Sequence, residues 1–293
     1  MDKGLPIIDP ISASAMEVDR EVAQDKLAAL KEALSTRVGE GALVAFSGGM
    51  DSAFLLWAAS AVSTEVGGRV VALTTTSPST PARDREDARG FTRLLGVEHV
   101  WEESYEMDLP EYSLNDRERC YHCKTELFRI TGRAAGESDL RWILYGYNAS
   151  DRGDDRPGHR AALEAGVLTP LADAELTKGE IRFLMKEAGL PLSGKAASPC
   201  LSSRVMTGIQ ITPERLADVE ELEGILRKAG AEAIRVRICR EADASFFLRV
   251  EASPGDMNIV LNCREELQTE GLRRGYRWVT LDLGGYRTGG GVT

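Results

Sequence analysis

Three of the five cysteines stand where chemistry is possible. Arg119-Cys120-Tyr121-His122-Cys123-Lys124 sets two thiols three residues apart, a spacing that lets both sulfurs reach one metal or one cluster. Alone the pair is half of a site, and a redox pair or two incidental cysteines would show the same spacing. Cys200, in Ser198-Pro199-Cys200-Leu201-Ser202-Ser203-Arg204, lies beside a cation that favours the reactive thiolate; an inert buried thiol is the alternative. A different chemistry is written at residues 43–52, Leu-Val-Ala-Phe-Ser-Gly-Gly-Met-Asp-Ser. An apolar run ends in Ser47, Gly48 and Gly49, and after Asp51 and Ser52 the apolar Phe54, Leu55 and Leu56 begin a helical pattern. At a strand–loop–helix junction of this kind free backbone N–H groups meet the positive end of the helix dipole, and glycines let a phosphate approach closely. An ordinary capped turn is the plainer reading of such glycines. Further on, Tyr145-Gly146-Tyr147-Asn148-Ala149-Ser150-Asp151 runs on to Asp154-Asp155-Arg156-Pro157-Gly158, polar enough to close over a nucleotide or simply to turn.

These residues need a scaffold, and the apolar pattern supplies one. Residues 1–15 are weakly patterned, a loose arm. Val22, Leu27, Leu30 and Leu34 predict a helix over 17–37; strands are predicted at 43–46, 69–75, 97–101 and 142–145, with helices to about 66 and over 84–95 between them. Strands alternating with helices predict a parallel, doubly wound α/β sheet, whose ligands bind beyond the carboxyl ends of the strands, where Ser47, Thr74 and Gly146 fall. A polar loop leads through the cysteine pair into a helix at 126–130. A helix at 181–188 is followed by a Pro-, Ser-, Gly- and Ala-rich stretch over 191–210. A helix over 213–229 and strands at 235–238, 246–251 and 276–281 predict a smaller α+β unit, so residues 1–195 and 196–293 are expected as two domains.

Bulk properties exclude some functions. The chain can bury a sizeable core, and its 43% hydrophobic and 28% charged residues are ordinary for a soluble protein. A net charge of −10 gives no footprint for broad DNA or RNA binding. No run approaches the roughly 18 apolar residues of a membrane span. The start, Met-Asp-Lys-Gly-Leu-Pro, is unlike a signal peptide, so the cytoplasm is expected. An odd number of cysteines in a chain this long does not suggest a disulfide framework.

Ser-Gly-Gly-Met-Asp-Ser at 47–52 resembles the pyrophosphate loop (PP-loop) of ATP pyrophosphatases, which split ATP to AMP and pyrophosphate and activate a carboxylate or carbonyl oxygen as an adenylate. It is not a Walker A loop, since no lysine follows the glycines. Over roughly residues 17–290, that loop is followed in order by Arg-Cys-x-x-Cys-Lys, Asn148-x-x-Asp151 with Arg-Pro-Gly at 156–158, Leu-Thr-Lys-x-Glu-Ile-Arg at 176–182, Cys-Leu-Ser-Ser-Arg at 200–204, Arg-Val-Arg at 235–237 and Asp-Leu-Gly-Gly-Tyr-Arg at 282–287. This order resembles the pyridinium-3,5-biscarboxylic acid mononucleotide sulfurtransferases, the LarE family. That resemblance implies an enzyme making the sulfur-bearing precursor of the nickel-pincer nucleotide of lactate racemase. ATP would adenylate a substrate carboxylate, a cysteine-borne sulfur would displace AMP, and a thiocarboxylate would result.

Within that family the sulfur comes either from the cysteine matching Cys200, sacrificed, or through a 4Fe-4S cluster on three cysteines. Cys120, Cys123 and Cys200 match the second pattern, while Cys239 and Cys263 match no motif and are read as structural. The resemblance further implies that Ser47, Gly48, Gly49, Asp51 and Ser52 hold ATP phosphates with Mg2+ and that Thr74 and Gly146 border the adenosine. Ser203, Arg204, Arg235 and Arg237 would clamp the substrate's phosphate and carboxylates, for which a guanidinium fork is well shaped. Glu223 and Glu251 would join Cys200 as catalytic groups, although the chain departs from the pattern by extra residues at about 239–245. Partners would be the nucleotide substrate, sulfide or a sulfur donor, and further copies of the chain, with a hexamer as one form. Readings from other classes are a tRNA-thiolating enzyme with the same loop, disfavoured by the acidic charge and the lack of flanking zinc modules; an ammonia-using ligase, which leaves the cysteines without a task; and a nucleotide-binding regulatory protein.

Overall fold

A computed structural model describes residues 18–152, 157–195 and 199–286. The expected arm at 1–15, Asp154, Asp155 and Arg156 of the polar loop, Ser198, and Arg287 of the closing motif lie outside the described residues.

The first part reads α1(Arg20–Gly39), β1(Ala42–Ala45), α2(Met50–Val66), β2(Val70–Thr76), α3(Ala82–Leu95), β3(Glu98–Glu103), α4(Pro110–Ser113), α5(Arg119–Glu137), β4(Trp142–Tyr145), α6(Pro157–Glu164), α7(Pro170–Asp173) and α8(Lys178–Glu187). Among the described residues its strands form a four-stranded, all-parallel sheet in the order β3-β2-β1-β4. Sequence alternation assigns the two faces. Ala42, Val44, Val70 and Ala72 pack into the core with α1, α2 and α8, whereas Leu43, Val71 and Leu73 meet Ile130, Ala134 and Ala135 of α5. Strand order advances from β1 outward through β2 to β3 and then returns to the other side of β1 with β4. The switch point of such a sheet lies between β1 and β4, and there residues 47–52 leave β1.

The second part reads α9(Pro213–Lys228), β5(Ile234–Arg240), β6(Phe246–Ala252), α10(Met257–Asn262), α11(Arg264–Arg273) and β7(Val279–Leu281). β5 pairs antiparallel with β6 and β6 parallel with β7. Ile234, Val236 and Ile238 enter a core with Leu216, Val219 and Leu222 of α9, which turns Arg235 and Arg237 to the other face. The fold is therefore α/β, a doubly wound parallel sheet with a smaller mixed sheet after it. The second core also takes in Tyr112, Met107 and Leu109 from before α5. No helix among the described residues is long and apolar enough to cross a membrane.

Helices α4, α6, α7, α10 and α11 have no counterpart in the reading of the sequence, and α5 and β7, which it did place, start elsewhere. α5 starts at Arg119, seven residues before the expected helix, because no glycine or proline intervenes and Asp116 Oδ1 accepts the Glu118 N–H at its entry (2.8 Å). Strand β7 begins at Val279 rather than Tyr276, whose side chain turns away to the Asp218 carboxylate (2.9 Å).

Candidate active site

The turn after β1 has the geometry that can receive an anion. Gly48 has φ +71°, and a Cβ there would lie 2.7 Å from the Asp84 carbonyl, so only glycine fits. Gly49 caps α2 with backbone alone, leaving the N-terminus of a 17-residue helix without a side-chain cap. The hydroxyls of Ser47 and Ser52 stand 3.1 Å apart; the Gly49 N–H donates to Ser47 Oγ (3.3 Å) and Ser52 Oγ donates to the Gly49 carbonyl (3.1 Å). Asp51 closes the turn with a buried Oδ1 that meets no donor in hydrogen-bond geometry among the described residues, Asn148, whose Nδ2 is likewise unmet, being the polar group nearby. Burial pushes its carboxyl up to about 6, against the nearby Lys178 and Arg182 and with the help of Asp151. An orphaned carboxylate oxygen beside an anion cradle suits a hard divalent cation such as Mg2+.

Two residues expected at the adenosine have internal partners. Thr74 is 3% exposed; its hydroxyl lies 2.7 Å from the Phe46 carbonyl and 2.8 Å from His99 Nε2. A Cβ on Gly146 would lie 2.9 Å from Ser52 N, so this glycine lets the end of β4 rest on the first turn of α2. Thr74 through its hydroxyl and Gly146 through its backbone thus brace the carboxyl-end edge of the sheet. Gly158 plays a similar part beside the cysteine pair: a Cβ there would meet Lys124 Cγ at 3.0 Å and the Cys120 carbonyl at 3.4 Å.

Cys120 and Cys123 occupy the first turn of α5, one exposed and one half-buried, so the pair is helical and only Cys123 turns into the protein. Cys200 precedes a single 3-10 turn at Leu201–Arg204. Arg119 joins the two segments: it donates to the Ser202 carbonyl (3.1 Å) and to Asn115 Oδ1, with its Nη2 4.0 Å from Cys120 Sγ. Against the pull of burial, the Cys200 and Cys120 thiols and the Tyr112 hydroxyl hold this guanidinium above its ordinary value. Tyr112 Oη pairs with Ser202 Oγ at 2.6 Å, and fully buried Asn115 donates to the carbonyls of Val205, Met206 and Ile209. Burial pushes Cys123 up to about 12, with Lys124 opposing. Among the described residues no three ligating side chains close on a single ion. A cluster distributes its thiolates over several irons, so its ligands need not converge on one point, and a donor set of thiols alone is the soft kind that such a group takes.

Beyond Cys200 the predicted charged residues do gather. Arg204 is 1% exposed and forks onto Glu223 (Nε–Oε1 3.0 Å, Nη2–Oε2 3.3 Å), while its Nη1 serves the Cys200 carbonyl and Ser203 Oγ, both at 3.1 Å. Its donors are thus committed to holding the Cys200 turn. Glu223 also accepts from the Val236 N–H (3.2 Å) and Arg227 (3.1 Å). Burial works to raise the Glu223 carboxyl, yet Arg204, Arg235 and Arg227 hold it below the usual range, so it is ionised at neutral pH. Arg237 binds Glu251 (2.6 Å) and the Ser203 carbonyl (2.9 Å), and Arg249 binds the same Glu251 oxygen (3.0 Å). The other oxygen, Glu251 Oε2, is buried without a partner among the described residues. Arg235 lies over the Tyr286 ring, 5.0 Å from its centroid. With Arg204, Arg227, Glu223, Asp84 and Lys195 it lines a cleft of about 660 Å³ between α3 and α9.

Three groups in this region escaped the reading of the sequence. Lys195 bridges Asp84 (2.8 Å), Asp87 (2.6 Å) and the Gly48 carbonyl (2.9 Å); the Gly194-Lys195 dipeptide was its only signal. Asn115, at φ +57°, announces itself only as an asparagine suited to a left-handed turn. Buried Glu106, which accepts from the hydroxyls of Ser77, Ser79 and Ser104, gave no sign at all. The Ser79 carbonyl in turn accepts the Leu201 N–H at 2.8 Å, fastening the Cys200 turn to the end of β2.

An anion cradle at the switch point of a parallel sheet, followed by a smaller sheet carrying buried arginines, defines an α/β protein of PP-loop architecture. The chain belongs to the LarE family of pyridinium-3,5-bisthiocarboxylic acid mononucleotide synthases. It is 32% identical over 248 residues to the protein of that name from Lactiplantibacillus plantarum, covering 84% of this chain and 87% of the relative. It is also 36% identical over 250 residues to the uncharacterized protein slr1717 of Synechocystis, covering 85% and 90% of the two chains. A shorter likeness, 32% over 174 residues, links it to the uncharacterized protein MJ0830 of Methanocaldococcus jannaschii, covering 59% and 66%. No protein-family model matches the chain.

Proposed function

We propose that this protein is an ATP-dependent sulfurtransferase that turns a carboxylate of pyridinium-3,5-biscarboxylic acid mononucleotide into a thiocarboxylate, a step toward the nickel-pincer nucleotide. The observation that carries the reading is the adjacency of three chemistries: Lys195, which touches the phosphate turn, lines the same cleft as Arg235 and as Arg204, which holds the Cys200 turn.

Ser47, Gly48, Gly49, Asp51 and Ser52 hold the ATP phosphates, and Asp51 would hold Mg2+ through its buried Oδ1, the cation supplying charge to offset the phosphates. Arg235 and Arg237, with Ser203, meet the anionic groups of the substrate, and Arg204 and Glu223 keep the Cys200 turn in place. A substrate carboxylate oxygen attacks the α-phosphorus; the bond to the β-phosphate oxygen breaks and pyrophosphate leaves with its electron pair. Sulfur then displaces AMP at the activated carbon. Cys120, Cys123 and Cys200 would hold a 4Fe-4S cluster, which supplies an iron without a protein ligand as a place for sulfide. Arg119 keeps the two cysteine-bearing segments together and sets a cation among their sulfurs.

The test is conversion. Purified under anaerobic conditions and supplied with iron, sulfide, ATP and the pyridinium substrate, the protein should form thiocarboxylate, AMP and pyrophosphate together. Product formed without ATP, or ADP in place of AMP, would overturn the reading.

A further inference from the structure

Lys195 is a buried cation at the phosphate turn, and nothing in the reaction above requires it to touch a substrate. Its side chain is 8% exposed, and its three donors meet three acceptors: Asp84 Oδ1 at 2.8 Å, Asp87 Oδ2 at 2.6 Å and the Gly48 carbonyl at 2.9 Å. An ammonium so saturated is a fastening. What it fastens is one particular peptide plane.

The Gly48–Gly49 peptide is planar and trans, so its carbonyl and its N–H point in opposite directions. With the carbonyl held by Lys195, the Gly49 N–H faces the inside of the turn, where it donates to Ser47 Oγ at 3.3 Å beside the Ser52 hydroxyl. Both flanking residues are glycine, which reverses a peptide plane more easily than any other residue. Reversed, this one would present its carbonyl oxygen to an incoming phosphate and repel it. The turn that needs glycine for close approach thus also needs a device that selects the donor-inward orientation, and the two α3 carboxylates hold the lysine to that task.

Resting on the reading that this turn binds phosphate, we propose that Lys195 is a positioning residue that locks the Gly48–Gly49 peptide with its N–H facing the anion. It acts through Gly48 rather than by contact with the nucleotide. The lysine also stands five residues before Cys200 in the chain, so the segment leading to the sulfur-bearing turn is the one that sets the phosphate turn.

The experiment is calorimetric titration of the full chain with magnesium pyrophosphate, for the wild type, Lys195→Met and Lys195→Arg, beside their unfolding temperatures. Lys195→Met should weaken pyrophosphate binding about tenfold or more, the size expected for losing a charge-assisted hydrogen bond, and Lys195→Arg should recover most of it. A Lys195→Met protein that unfolds at a lower temperature yet binds pyrophosphate like the wild type would overturn the assignment, since the lysine would then only tie α3 to the chain. Should that variant not fold, the wild type alone carries the test: the Gly49 amide resonance should shift and resist exchange on adding pyrophosphate, and an amide that does neither contradicts the proposal. Failure of the wild type to bind pyrophosphate would instead overturn the nucleotide reading and this inference with it.

Discussion

Gly146 and Ser52 meet backbone to backbone, the end of β4 resting on the first turn of α2 so closely that a Cβ on Gly146 would lie 2.9 Å from Ser52 N and 3.0 Å from Ser52 Cα. The atoms that must yield are main-chain atoms of Asp51 and Ser52, which cannot swing aside as a side chain would. Gly146→Ala is therefore expected to cost about 1–3 kcal/mol of stability, the usual range for overpacking. It should weaken ATP binding in the same variant. Denaturant unfolding and ATP titration check this; a variant with wild-type stability and affinity would show that the contact is slack.

Removing Glu223 should be among the most damaging single changes. It leaves Arg204, 1% exposed, without its forked carboxylate and leaves the Val236 N–H without an acceptor. Breaking a buried pair from one side costs roughly 3–5 kcal/mol. Glu223→Ala should lose about that much in chemical denaturation, and a loss below about 1 kcal/mol would mean the pair is solvated.

Asp51 makes the protein sensitive to pH. Its folded carboxyl sits at about 6, above the ordinary 3.8, chiefly through burial. A raised value means that the folded state holds this proton more tightly than the unfolded chain does. The associated stability is present below the unfolded value and is lost as pH rises through 6. Asp51→Asn should then be more stable than the wild type above pH 6, by at most about 3 kcal/mol, with the difference vanishing near pH 4. Because a divalent cation binds the ionised form, magnesium pyrophosphate should bind the wild type more tightly as pH rises through the same interval. A pH-independent affinity would remove Asp51 from the cation site.

The arginines separate binding from folding. Arg235 lines the cleft, and Arg235→Ala should weaken binding of the pyridinium mononucleotide by on the order of 1.5–3 kcal/mol while leaving ATP affinity near the wild-type value. Equal loss of both affinities would mark a folding defect.

How much of this was legible follows from what each feature depends on. The turn after β1 was readable because its features are local: a strand end, two glycines, of which Gly48 has a positive φ, and a helix start lie within ten residues. Arg235 and Arg237 stood out through the Arg-Val-Arg motif of the resemblance, and the strand places them on one face while Ile234 and Val236 enter the core. The packing of Gly146 against Ser52, and of Thr74 against Phe46 and His99, was not legible, because those contacts come from residues distant in sequence. Lys195 in its Ser-Gly-Lys stretch looks like any surface lysine until α3 brings Asp84 and Asp87 against it. The helical setting of Cys120 and Cys123 was hidden by the polar residues before them, which lack the apolar period of a helix.

The source of sulfur is decided by iron and mass. If Cys120, Cys123 and Cys200 hold a cluster, the reconstituted protein should turn over repeatedly with added sulfide, and replacing any of the three cysteines with serine should abolish this. Loss of one hydrogen sulfide from the mass of each chain, after a single turnover without iron, would assign the sulfur to Cys200 itself.

Whether ATP activates a carboxylate as an adenylate can be read by labelling the carboxylates of the pyridinium mononucleotide with oxygen-18 and weighing the AMP. AMP formed by the wild type should carry one labelled oxygen, no AMP should form without the substrate, and Asp51→Ala should form none while keeping its fold. AMP free of label, or cleavage of ATP undiminished in Asp51→Ala, would contradict that activation.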